Sequence, residues 1–547
     1  RSRMDDRKFI FEYGEFNRGG EINDEYCAEK WILFNPGIRK VKIIPSKNTD
    51  FLFFTFFRKN ILKTLYLISL LLIVFLGSSS RKDGISKQQK DLEVFKKVVL
   101  SKESRIDIHA NRDSVLYYFN SLDATFSKKL TQLEQFKYYS QVLTKIESGH
   151  TQIHPTRNLF KDWLSDRNSL PIDYYLLGKR LIINNIVPLD LKILALEKSK
   201  YQSRKKISAG SEILSINNKT VPQMMSEIAV LLSSDENSID FKYYQAAQLF
   251  EFYRHLSDPF TQDSISVKYV YRGDTNLIYL LPGTAPFNTM NDRLSKSELR
   301  YQKNQKNIGE FAIVKKCGYF RFKSFSNSYG VNYEAFLKRS FLKLKTKKIN
   351  RLIIDLRGNT GGAMQYQLMR YFVGENVFLG KYIVGKPKKF FESRHFKKLS
   401  PAFTKHRKIS HEQKRLQRKG KFNNGTVLSE SVDVSLIYEG EIVLITDEGT
   451  FSSAAILACY LKSMKNAKII GQRAGGSFYR GNAGTITLKL PHSKLQIFVN
   501  PNTFYSHLDE SSSPLEIKEP DVYLSSILTN IKKRDRFYIK AAINAFK

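Results

Sequence analysis

Arg351-Leu352-Ile353-Ile354-Asp355-Leu356-Arg357-Gly358-Asn359-Thr360-Gly361-Gly362 is the stretch on which the fold turns. Its first six residues, apolar but for the two charged ones, read as a buried strand. The glycines that follow free the backbone to turn N–H groups outward at a helix start, and a helix is expected over Met364–Phe372. Such donors hold a phosphate or a developing oxyanion. A phosphate loop needs Gly-Lys-Ser/Thr at this point, and Ala363-Met364 does not supply it. Taken alone, the stretch is equally well an ordinary turn between strand and helix.

The same unit recurs on both sides. Lys316–Phe325 reads as a strand and Tyr333–Lys345 as a helix. Glu441–Thr446 is a strand, Ser453–Ser463 a helix and Ala467–Ile470 a further strand. This alternation predicts an α/β core over 305–530. In Thr450-Phe451-Ser452-Ser453-Ala454-Ala455 a serine stands at a helix mouth, where the partial positive charge favours an alkoxide or oxyanion. Capping by Ser452 or Ser453 is the commoner reading of such a serine. A nucleophilic serine needs a base. His150, in Ser148-Gly149-His150-Thr151, lies in a loop after a helix, and His154 four residues on competes with it.

Working outward, 85–165 is predicted to be helical, from apolar residues at helical spacing in LEVFKKVVL, DSVLYYFNSL and LEQFKYYSQVLTKI. Between 175 and 285 the pattern changes. Ile207–Asn218 is a turn, a short strand and a second turn, Val221–Leu232 and Phe241–Leu256 look helical, and Ser264–Val270 alternates as a strand. A basic insertion over 381–421 contains KPKK, RHFKK, KHRK and KRLQRKGK, with Glu392 and Glu412 as its only acids. Its composition suits a mobile surface loop.

These motifs, taken in order, resemble the S41 serine peptidases, the C-terminal processing and tricorn-like proteases. Asp355–Gly362 is similar to their D-x-R-x-N-x-G-G segment, and Thr450–Ala455 to their nucleophile segment. Gly471-Gln472-Arg473-Ala474-Gly475-Gly476 resembles their G-x-x-T-x-G turn, with Ala474 in place of Thr. Glu519-Pro520-Asp521-Val522 resembles their Pro-Asp signature, Gly149-His150-Thr151 their histidine motif, and Ile207–Asn218 part of their PDZ-like module. The likeness spans about 85–530. It implies an α/β fold: a crotonase/ClpP-like catalytic domain with an N-terminal helical bundle and an inserted PDZ-like module. It implies Ser452 as nucleophile, with oxyanion donors from Ser453 and from Gly361 or Gly362. One branch of the family uses a lysine base, where this chain has Ser477. The nearby Arg473 and Arg480 stay protonated and cannot replace it. The Ser-His-acid arrangement is therefore implied, with His150 as base. For the acid, Glu510, Glu516 and Glu519 are available, Glu516 preferred and Glu510 second. The implied activity is that of a serine endopeptidase. A relative that binds peptides without a working triad is the alternative.

Composition bounds the rest. The chain has 547 residues, enough for three modules, and 13% of them are aromatic, which argues against disorder. Three cysteines exclude a disulfide framework, and neither CxxC nor HExxH spacing occurs, so no metal or other cofactor is expected. Eighty-nine Lys and Arg against 52 Asp and Glu give a net charge of +37. Without a nucleic-acid-binding motif, this charge is read as a solvated surface, or as attraction to acidic peptides or an anionic membrane surface. Thr64–Leu76 (TLYLISLLLIVFL) follows Arg58, Lys59 and Lys63 and precedes Gly77-Ser78-Ser79-Ser80. Residues 58–80 thus have the form of a signal peptide, with an uncleaved anchor over 61–76 as the alternative. An exported protein, periplasmic or extracellular, is expected. Residues 1–57 are expected to be a doubtful extension, from a fragment or an over-extended reading frame, or else a cytoplasmic tail, and no oligomeric state is assigned.

Overall fold

In the computed structural model, Arg351–Asp355 is a central strand of a six-stranded sheet. Across this sheet the order is Val522–Tyr523, Lys468–Gly471, Glu441–Thr446, Arg351–Asp355, Cys317–Phe322 and Gly309–Val314. The structure describes residues 86–107, 112–156, 159, 170, 172–177, 180–186, 208–259, 264–280, 309–326, 332–375, 377–384, 396–399, 424–428, 431–477, 480–483, 485–509, 519–524 and 531–546. From Gln88 onward they belong to one compact unit. The 58–80 segment and most of the basic insertion lie outside the described residues.

All neighbouring strands of the central sheet run parallel except the hairpin Gly309–Val314/Cys317–Phe322. Parallel strands need crossovers, and the helices Tyr333–Thr346 and Ser453–Lys465 supply two of them. Asn332 caps the first, its Oδ1 accepting Ala335 N–H at 2.9 Å. Both faces of the sheet are covered, which is why RLIIDL shows no clean alternation. Leu352 and Ile354 pack with Phe341, Leu368 and Leu457, whereas Ile353 packs with Val443, Tyr538, Ala542 and Phe546. The last three come from the helix Ile531–Ala545 and the residue following it, beyond the 305–530 span.

Upstream, helices over 86–102, Arg112–Phe126 and Gln132–Leu143 share a core of Phe95, Phe119, Phe126, Phe136 and Tyr139. That core continues into Leu488, Ile497 and Val499 of the antiparallel strands Ile486–Lys489 and Gln496–Val499. The chain leaving these helices is thereby brought against strands from the downstream half of the chain. A separate antiparallel sheet is formed by Ile172–Leu177, Arg180–Ile186, Glu212–Ile216, Ile265–Tyr271 and Asp274–Leu280, with Lys219–Thr220 beside Glu212–Ile216. The helix Val221–Ala229 packs on it through Met224, Met225 and Ile228.

Two expectations are corrected. Phe241–Leu256 is two helices, Ile239–Gln248 and Phe250–Ser257, divided at Leu249, whose backbone (φ −142°, ψ 42°) is not helical. The basic insertion is not loop throughout. Phe378–Val384 runs into it, and Phe396–Leu399 pairs with Ile486–Leu488 as the edge of a four-stranded sheet. Lysine-rich strands are common at sheet edges, where charge discourages further pairing, so composition alone did not exclude a strand there.

Candidate active site

Adjacent parallel strands place their C-terminal ends together, and the register Asp355↔Ile445 sets the two following loops side by side. Three contacts fasten them. Asp447 Oδ1 accepts Gly358 N–H at 2.8 Å, Thr450 Oγ1 donates to Leu356 O at 3.0 Å, and Phe451 N–H donates to Asn359 O at 2.9 Å. Thr450 also closes its own turn, accepting Asp447 N–H at 3.0 Å. The chain then bends at Ser452, with φ 55° and ψ −129°, before the Ser453–Lys465 helix begins. That backbone is costly for any residue but glycine, and it projects the hydroxyl at the mouth of a 13-residue helix.

Glycines on two sides make room for this bend. A β-carbon on Gly361 would come within 2.8 Å of Ser452 Cβ and 3.0 Å of Ser453 N. One on Gly476 would come within 2.5 Å of Ser452 N. Gly361 donates its own N–H to Asn359 Oδ1 at 2.9 Å, so it is spent on holding the loop.

The histidine arrives from the other end of the chain. After Ile146, Glu147 adopts a left-handed conformation and Ser148–Thr151 closes a turn, Thr151 N–H donating to Ser148 O at 3.0 Å. His150 Nε2 then lies 3.0 Å from Ser452 Oγ, and its ring packs on Phe451 with centroids 4.8 Å apart. Phe241 stacks on the other side of this arrangement, its ring 4.1 Å from Phe451. Gly149 is required: a β-carbon there would meet Phe451 Cζ at 2.6 Å. His154, the competing histidine, packs instead on Phe498 at 4.3 Å.

Burial lowers the pKa of His150, Asp235 opposes that shift and Arg105 adds to it. The net direction keeps the ring neutral, with Nε2 able to accept the Ser452 proton. Its Nδ1 is buried and has no hydrogen-bond partner among the described residues. Glu510 and Glu516 lie outside the described residues, and Glu519 pairs with Arg473 at 3.2 Å.

Sequence reading missed the residues that hold the histidine loop. Arg105, 1% exposed, donates to Glu147 O (2.8 Å), Asn482 Oδ1 (3.0 Å) and Arg480 O (3.2 Å). Glu103 accepts Asn500 N–H at 2.9 Å and Asn482 Nδ2 at 3.2 Å, and it also receives the Thr151 hydroxyl. No local pattern marks these residues, because their partners lie from 42 to 397 positions away. Asp447 and Thr450 were legible in principle, since Asp-x-x-Thr before a helix is a turn signal.

Residues 316–486 match the family model for peptidase family S41. No curated protein matches the chain. Among solved structures, the chain is similar to mature CPAF complexed with lactacystin, at 12% identity and a TM-score of 0.55, covering 84% of this chain and 98% of that one. A second structure of mature CPAF gives 12% identity, a TM-score of 0.52 and coverage of 84% and 96%. The photosystem II D1 C-terminal processing protease aligns at 14% identity over 82% and 97%, with a TM-score of 0.35 too low to argue from. At these identities the structural likeness speaks for the fold. Residues 316–486 belong to peptidase family S41, and by that domain the chain is a serine-type peptidase.

Proposed function

We propose that the chain is an endopeptidase working through an acyl-enzyme, with Ser452 as nucleophile and His150 as general base. The observation that carries this reading is the 3.0 Å approach of His150 Nε2 to Ser452 Oγ across 302 positions of sequence. His150 takes the serine proton as Oγ adds to the peptide carbonyl. The oxyanion is held by the N–H groups of Ser453 and Gly362, since that of Gly361 is engaged by Asn359. Each such donor is worth about 3–4 kcal/mol in comparable sites. His150 then gives the proton to the leaving amine, and water, deprotonated by the same ring, releases the acyl group.

An acid at Nδ1 completes the arrangement, and Glu516, with Glu510 second, is assigned to it. The orphaned Nδ1 supports such an acid, because a neutral histidine accepting at Nε2 carries its proton at Nδ1. Substrates are proteins or peptides. We read the antiparallel sheet with helix Val221–Ala229 as a PDZ-like module that receives an extended peptide, and the helices before Ile146 as the N-terminal bundle. Export, with 58–80 as signal or 61–76 as anchor, belongs to the same reading.

Fluorophosphonate labelling followed by peptide mapping tests it. Ser452 is expected to carry the label, and Ser452→Ala and His150→Ala are each expected to abolish it with the fold intact. Labelling at another serine overturns the assignment. The alternative, a peptide-binding protein without turnover, has one observation in its favour: no described carboxylate reaches His150 Nδ1. Peptide binding by a wild-type chain that takes no label would establish it.

A further inference from the structure

The loop Ser233-Ser234-Asp235-Glu236-Asn237-Ser238 joins the helix Val221–Ala229 to the helix Ile239–Gln248, and no part of the proposed triad lies in it. Its one buried charge is Asp235, 1% exposed. Asp235 Oδ1 accepts Gly149 N–H at 2.8 Å, immediately before His150. Its Oδ2 accepts Ser477 N–H at 3.3 Å, and the residue before Ser477 is Gly476, which abuts Ser452 N. A single carboxylate therefore joins the loop of the base to the loop behind the nucleophile.

The neighbouring backbone is bent to put it there. Glu236 (φ 51°) and Asn237 (φ 54°) are consecutive non-glycine residues in the left-handed region. Such conformations cost free energy and persist where the surroundings enforce them. Here Ser477 Oγ donates to Glu236 Oε1 at 2.6 Å, and Lys242 Nζ donates to Asn237 Oδ1. Arg105 Nη2, fully buried, lies 3.5 Å from Asp235 Oδ1.

We propose that Asp235 is a positioning residue for the reaction: its buried carboxylate fixes the His150 loop and supplies the negative charge against which the His150 imidazolium forms. This rests on the Ser452–His150 reading above. Asp235 acts through the loop and through space, for it makes no hydrogen bond to the imidazole. Burial alone would raise its pKa, but Arg105 and His150, with the N–H groups of Gly149 and Ser477, hold it below the ordinary carboxylate value. The anion is thus in place before Ser452 gives up its proton. In a water-poor site a preset charge of this kind stabilises the ion pair of the transition state without reorganisation. Among the described residues, the charged groups bearing on the His150 ring are Asp235, which favours its protonation, and Arg105, which opposes it. Glu103, which accepts the Arg105 backbone N–H at 3.3 Å and the Thr151 hydroxyl, completes the cluster.

The test is the rate at which a fluorophosphonate probe labels Ser452 in the full chain, measured against pH. Asp235→Asn keeps the acceptor for Gly149 and removes the charge. It is expected to slow labelling about tenfold at pH 7 and to move the acid limb of the profile to lower pH. Arg105→Gln is expected to move that limb to higher pH. A role confined to folding would lower the melting temperature of both variants and leave both limbs in place, which would overturn the proposal, as would limbs moving in the same direction. Should Asp235→Asn not fold, the Arg105→Gln limb alone decides, and an unmoved limb refutes the proposal. A wild-type chain that is not labelled at Ser452 refutes the Ser452–His150 reading itself, whereas wild-type labelling with unmoved variant limbs refutes only the role of Asp235.

Discussion

At the scale of single residues, the site is bought with backbone strain. Ser452 holds φ 55° and ψ −129° between a strand and a helix, in a region that disfavours any β-carbon. Ser452→Gly should therefore be more stable than Ser452→Ala by about 1 kcal/mol, the relief of strain outweighing the entropy that glycine adds to the unfolded chain. Chemical denaturation of the two inactive variants measures the difference, and an alanine variant at least as stable would show the bend to be unstrained. Gly149 lies at the other side of the same contact. Gly149→Ala would press a methyl group against Phe451, which is itself clamped between His150 and Phe241. We expect a loss of roughly 1–3 kcal/mol and, because Phe451 precedes Ser452, a marked fall in Ser452 labelling as well. The serine, the histidine and the glycine loop were singled out because their motifs, taken in order, resemble those of one family, each being weak alone. Arg105, Glu103 and Asp235 were not, since their significance comes from burial against segments that folding alone brings near.

At the scale of elements, most of the parallel core followed from periodicity, but the helix expected over Met364–Phe372 is only Gln365–Met369, and the edge strands Gly309–Val314 and Val522–Tyr523 were not foreseen. Glu441–Thr446 needed no adjustment, and the helix Tyr333–Thr346 differed by one residue at its end. The short antiparallel strands Ile486–Lys489, Gln496–Val499 and Asn502–Ser506 escaped notice, being four or five residues long, although Asn500-Pro501 marks the turn between the last two. The helix Ile531–Ala545 was missed for another reason: its apolar face answers the back of a distant sheet. Asp535 ties it to that sheet, accepting from Arg357 Nη2 at 2.8 Å and from Arg321 Nη1 at 2.9 Å. The Arg357 guanidinium also lies 4.2 Å from the Tyr538 ring centroid and bonds both oxygens of Asp355. Arg357 belongs to the loop proposed to hold the oxyanion, so this helix braces that loop. Tyr538→Ala should cost about 3 kcal/mol in denaturant unfolding, as for other large buried side chains. It should also weaken labelling of Ser452, whereas equal stability would mean the helix is not part of the folded core.

For the whole molecule, the buried ionisable groups set a pH range of stability that differs from what the large positive charge suggests. His154 is pushed down to about 4 by burial against Phe498, and His150 is lowered in the same direction. Both are neutral when folded and take up protons near 6.5 when unfolded, so the unfolded state binds more protons below that pH. Their contribution is complete above about 6.5 and is lost as pH falls toward the lowered values. Asp235 and Asp355, despite burial, and the half-exposed Asp535 are held below the ordinary carboxylate value by arginines, so their contribution fades only under more acid conditions. Glu103 runs the other way: burial raises its pKa, and its contribution is lost as pH rises through the folded value. The melting temperature should therefore decline from pH 6.5 toward pH 4. His154→Phe should flatten this slope, because phenylalanine can stack on Phe498 without taking up a proton. Glu103→Gln should steepen it by removing the opposing contribution. Melting curves of the three proteins across this range decide the matter, and a His154→Phe slope equal to that of the wild type would show that the ring is already charged, or solvated, in the folded chain.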